Sequence, residues 1–230
     1  MNNKTEQSKI QEVAVVALGS FNPRIFHPNW FSGNELIRKE DAQDADIKII
    51  NNDAAIFSTS WFALKVFRER FSIESGDPAA HLTFKDLVTG SFKILEHTPV
   101  KAFGFNSSQH INMKSEKEWH GLGDSCAPKG FWKKVLDKPG LRTLVIEGKR
   151  AKTKAKRIQI RVEPSQKEQP GVFVHINEHY TICEENESPP KNSALRLMGT
   201  VQNSWSAFLD YSKKVAEDLI AEHTDKREKK

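Results

Sequence analysis

The sequence is poor in cysteine. Two thiols, Cys126 and Cys183, in 230 residues cannot build the disulfide framework of a small secreted domain. Long apolar runs are also missing. The first, Val13 to Leu18, is far shorter than the roughly 20 residues that span a bilayer. The polar start, Met1 to Gln11, has no apolar core of the kind a signal peptide needs. A cytoplasmic protein with reduced thiols is therefore expected. Ten prolines and 12 glycines exclude a collagen-like or low-complexity chain. With 37% hydrophobic and 28% charged residues, a chain of this length has apolar surface enough for a core, and a wholly disordered chain is not expected.

Catalytic signatures are missing too. No Gly-x-x-x-x-Gly-Lys phosphate loop occurs. Gly121-Leu122-Gly123 begins a dinucleotide fingerprint, but Cys126 stands where its third glycine belongs. Gly123-Asp124-Ser125-Cys126-Ala127 lacks the second glycine of a nucleophile elbow, and no strand precedes it. Neither Cys-x-x-Cys nor His-Glu-x-x-His is present. No catalytic residue, metal or cofactor is assigned from the sequence.

What is there reads as an α+β protein. Strands are expected at 13–18, 47–50, 54–57, from 62 towards Gly76, at 100–105 (extending towards 113), 141–147, 157–162 and 172–182. Short helical stretches are expected at 29–37, 116–120 and 131–136. Thr83 caps a helix whose stripe holds Phe84, Leu87, Val88, Ser91 and Leu95. The best helical stripe is Val201, Trp205, Phe208, Leu209, Ser212, Val215, Ala216, Leu219 and Ile220. Phe67 and Phe71 fall off the buried face of their run, which points to a bulge or burial on both sides.

Residues 1–12 read as a polar tail and 223–230 as a charged one. Between them lies one globular unit, 13–222, of two similar halves, 13–98 and 100–222. Each reads strand, short helix, three strands, long amphipathic helix. Ala17-Leu18-Gly19-Ser20-Phe21-Asn22 faces Ala102-Phe103-Gly104-Phe105-Asn106 with one gap, and Trp30 faces Trp119. This suggests an internal duplication. Two such halves would share an antiparallel sheet, with two long helices on one face and the other face open. The architecture resembles the saddle of TATA-binding proteins and the sheet-plus-helix of SecB-like chaperones, a likeness of form that carries no function.

The net charge is +5. Its clearest local expression is the run Lys149, Arg150, Lys152, Lys154, Lys156 and Arg157, placed between two expected strands and so at a hairpin tip. Such a tip is either solvated or set against phosphates, where it would release counterions without reading sequence. Leu144 to Lys149, a strand ending in Glu147-x-Lys149, resembles one motif of the PD-(D/E)xK nucleases. That resemblance implies Glu147 and an upstream acid such as Asp137 on a divalent cation, with Lys149 beside the attacking water. His175 and His179 would share a strand face with Phe173 and Asn177. They could ligate a metal with Cys183 or His110, but read more simply as a polar sheet face. Phe21, Phe26, Trp30 and Phe31 surround Arg24 and His27, as core or as a stacking site. Trp61, Trp119, Trp132 and Trp205 read as core.

The expectation is a non-catalytic binding module. Its partner is nucleic acid at the hairpin or a protein on the open sheet face, and no membrane. The rivals are the nuclease and a scaffold subunit, which would show an exposed apolar patch. The sequence does not set the oligomeric state.

Overall fold

A computed structural model describes residues 12–225, apart from residues 152 and 185 and the side chains of 222–225. The expected tails thus lie mostly outside the described residues. Glu12, read as tail, opens the first strand.

Strand β1 (Glu12–Gly19) leads to two short helices, α1 (Pro28–Gly33) and α2 (Lys39–Gln43). Four strands follow: β2 (Asp46–Ile50), β3 (Ala54–Ser58), β4 (Ala63–Phe67) and β5 (Arg70–Ser75). Helix α3 (His81–Ile94) closes this part. The long β6 (Val100–Asn112) opens the second, followed by α4 (Glu116–Cys126), β7 (Leu144–Gly148), β8 (Arg157–Pro164), β9 (Gly171–Thr181) and α5 (Ser193–Asp225). The fold is a mixed α+β structure with one antiparallel sheet of nine strands among the described residues, ordered β2-β3-β4-β5-β1-β6-β9-β8-β7. No described helix is long and apolar enough to cross a membrane.

Local chemistry sets the turns. Asn51 Oδ1 accepts from the amides of Asp53 and Ala54, each at 2.8 Å, and so folds β2 back on β3. Thr59 Oγ1 accepts from the Phe62 amide at 3.2 Å before β4. Pro28 fits the first turn of α1. Ser115 caps α4 by accepting from the Glu118 amide at 3.2 Å.

One sheet face carries the core. Ala17, Phe71 and Phe103 are cross-strand partners on it, as are Val15, Ile73 and Phe105, and all six are buried. Phe92 of α3 sits edge-on to Phe71, with ring centres 5.1 Å apart. Trp205 of α5 lies 5.4 Å from both Phe105 and Phe84, which joins the sheet, α3 and α5 in one cluster. Its indole N–H donates to the His81 carbonyl at 3.2 Å, so the ring is buried without an orphan donor. Phe26 and Phe31 are also fully buried in this core, with Phe26 5.6 Å from Phe71. This places them as core rather than as a stacking site.

Three expectations are corrected. The run from residue 62 to Gly76 is two strands, β4 and β5, turned at Arg68-Glu69. Phe67 is therefore exposed and Phe71 buried because the chain has reversed, with no bulge. The first part has four strands after its short helices, not three. Helix α3 begins at His81, so Thr83 lies inside it and is not its cap.

Candidate nucleic-acid interface

The basic run forms the tip of the β7–β8 hairpin, between Gly148 and Arg157. Thr153 Oγ1 donates to the Arg150 carbonyl at 3.1 Å and tightens the tip. The Lys156 amide donates to the His179 carbonyl at 2.8 Å and joins the tip to β9. The six basic residues do not act alike. Lys149 and Lys154 are exposed, and neither has an ion-pair partner among the described residues. Lys156 pairs with Glu184 at 3.1 Å and Arg157 with Glu147 at 3.5 Å, both in solvent. Lys152 lies outside the described residues.

Arg150 turns inward. Its guanidinium donates to Glu178 Oε2 at 2.7 Å and to the Ala207 carbonyl of α5 at 2.9 Å, and lies 4.4 Å over the Tyr211 ring. Glu178 is fully buried, and its other oxygen accepts from Tyr180 Oη at 2.5 Å. Burial, reinforced by that bond to Glu178, pushes the Tyr180 phenol well above its ordinary range. Burial also raises the Tyr211 phenol. Arg150 thus anchors the base of the tip beneath α5, and the outward cations are the lysines. The sequence hid this because Glu178 lies 28 residues away and reads as one charge among strand residues.

Charge is concentrated around the hairpin. Residues 129–157 hold 11 basic and two acidic side chains, a net of +9, and the remainder of the chain has a net of −4. The same segment exposes Phe131 and Trp132, whose rings lie edge to face 5.2 Å apart between Lys129 and Lys133. Trp132 is therefore not core as expected. It sits on a single 3-10 turn, Trp132–Lys134, too short to present a buried stripe. Trp205 is buried, and Trp61 and Trp119 pack partly buried against the core.

The face of β6, β9 and β8 turned away from the helices is polar. Asn177 donates to Asn106 Oδ1 at 2.9 Å, and His175 Nδ1 meets Ser108 Oγ at 3.1 Å. His110 Nδ1 meets Ser165 Oγ at 2.8 Å. His175 and His179 do share this face with Phe173 and Asn177. Burial, with Arg161 in support, holds His175 down to about 4. Burial, then Arg157 and Lys156, lowers His179. No group of three His, Cys, Asp or Glu side chains that could hold a metal occurs among the described residues.

Glu147 lies on the edge strand β7, half exposed, with the cation Arg157 as its partner. That environment does not supply the buried paired carboxylates on which the nuclease reading depends. Burial raises the Cys126 thiol, opposite to what a nucleophile needs. A cavity of about 110 Å³ beneath α4, lined by Trp119, Leu122, Leu141, Val162 and Val172, is well below the usual size of a ligand pocket. A wider groove of about 940 Å³ runs past Arg38, Asp41, Trp61 and Thr83. The charged pair on its wall is already engaged, Arg38 bonding Asp41 through two contacts of 3.2 Å. That bond holds the Asp41 carboxyl below the usual carboxylate range. Compared with known proteins, the chain matches no family model and no curated protein.

Proposed function

We propose that this protein is a non-catalytic binding module that contacts nucleic acid through the β7–β8 hairpin. One observation carries the reading: the basic excess of the whole chain lies in residues 129–157. Outward lysines at the tip would position a phosphate backbone without reading its sequence. Phe131 and Trp132, exposed beside lysines, offer ring faces to unpaired bases.

The test is fluorescence anisotropy of a labelled duplex and a labelled single strand across a salt series. Wild type is compared with a variant carrying Lys149, Lys152 and Lys154 as Ala. The expected result is salt-dependent binding whose log–log slope falls by roughly 0.7–0.9 for each phosphate contact removed. No binding of either probe at low salt would sink the reading.

We also propose that the two parts of the chain arose by duplication, with α3 and α5 as corresponding helices. The support is topological. β1 and β6 pair at the centre of the sheet, and each is flanked by the last strand of its own part, β5 or β9. The short aligned stretch adds nothing to this. Ala17 faces the helices, whereas Ala102 pairs with Leu18 on the opposite face. A real correspondence would keep the face.

A further inference from the structure

Both edges of the sheet expose apolar side chains. β2 and β7 end the strand order, and each has five residues. On β7, Val145 is 45% and Ile146 57% exposed; on β2, Ile47 is 44% and Ile49 40% exposed. Val145 and Ile146 are adjacent, so they point to opposite faces and each face of β7 shows an exposed apolar side chain, while Leu144 at its start packs against the core. An edge also presents a row of unpaired backbone donors and acceptors. β7 contains no lysine or proline and pairs with β8 without a break. β2 is partly blunted by Lys48 and by a register shift between Ile47 and Ile49. The Lys48 ammonium, however, is held 2.7 Å from Asp46.

Charge discriminates among the ways two copies could join these edges. The segment around β7, residues 129–157, has a net of +9. The segment around β2, residues 35–53, holds six acidic and three basic side chains, a net of −3. β7 against β7 sets two strongly basic segments together, and β2 against β2 sets two acidic ones together. Only β7 against β2 brings unlike charge together.

We propose that copies of this chain pair head to tail, the β7 edge of one against the β2 edge of the next. This goes beyond the nucleic-acid reading and does not rest on it. Such a contact is heterologous, because each copy uses a different surface, and it leaves one open edge at each end of the assembly. Two five-residue strands make a small interface, so the association is weak and depends on concentration.

The test is sedimentation velocity with light scattering on the full chain, over a range of concentration and salt. Wild type is expected to grow past the dimer as concentration rises, and less so at high salt. Ile146→Lys and Ile49→Lys each block one edge and each should be monomeric. Mixed in equal amounts, they should form a dimer and nothing larger, because one keeps its β7 edge and the other its β2 edge. Far-UV circular dichroism and thermal unfolding check that both fold; Val145→Lys replaces Ile146→Lys if it does not. A wild type that stays monomeric at every concentration overturns the proposal. So does dimerisation of Ile49→Lys alone, which would mean β7 pairing with β7, and so does a mixture that remains monomeric.

Discussion

Glu178 is a carboxylate with no access to water, in the middle of the face of β9 that packs beneath α5. A charge there is tolerable only when it is paired and hydrogen-bonded. Arg150 and Tyr180 supply both, at 2.7 and 2.5 Å. Removing Arg150 leaves the charge buried and uncompensated. Arg150→Met is expected to lower the unfolding free energy by about 3–5 kcal/mol, with Glu178→Met added to it restoring most of the loss. Urea denaturation of the two variants decides. A single variant no less stable than the double one would show that Arg150 does not compensate Glu178.

His175 makes a second residue-scale prediction. Its folded value lies at about 4 against 6.5 when unfolded, so the folded protein resists protonating it. Below pH 6.5 the unfolded chain binds a proton that the folded chain does not. Stability from this group is therefore complete above pH 6.5 and is lost progressively as pH falls towards 4, by at most about 3 kcal/mol. His175→Asn should flatten the stability–pH curve in that window. An unchanged slope would mean that His175 is protonated in the folded state at little cost.

At the scale of elements, legibility followed the strength of local patterns. β9 and the second half of β6 were readable because fully and partly buried residues alternate along them, and β8 because Ile158, Ile160 and Val162 recur at every second position. The hairpin tip was readable because six basic residues between two expected strands cannot all be buried. The turn between β4 and β5 was not, since Arg68-Glu69 contains none of the residues that mark turns. The reversal is held by Phe21 and Gly19, which donate to the Arg68 and Glu69 carbonyls at 2.7 and 3.1 Å, contacts from the end of β1 and just beyond it, far away in sequence. The start of α5 at Ser193 was also hidden. It is fixed by tertiary bonds, with Ser193 Oγ accepting from the Val100 amide at 2.9 Å. The candidate site was legible as a charge run and illegible in orientation. Nothing local says that Arg150 turns in while Lys149 and Lys154 face out.

Across the whole molecule, charge is divided along with the sheet. Residues 12–99 have a net of −3 and residues 100–222 a net of +5, so the two ends of the sheet differ in sign. Such a division makes the basic end self-repelling, a strain that a bound polyanion relieves only if it binds the folded tip. Binding to the native state alone raises stability by mass action, about 2.7 kcal/mol at one hundred times the dissociation constant. In a domain of this size that is a rise in Tm of roughly 5–10 °C. A single-stranded oligonucleotide at low salt should therefore raise Tm, and the rise should shrink as salt is added. The variant with Lys149, Lys152 and Lys154 as Ala should show little of it, although its own Tm is not expected to fall, because the described contacts that anchor the hairpin come from Arg150, Thr153 and the Lys156 amide. An equal rise in variant and wild type would place the polyanion elsewhere on the basic segment, with the lysines around Phe131 and Trp132 the next to be changed.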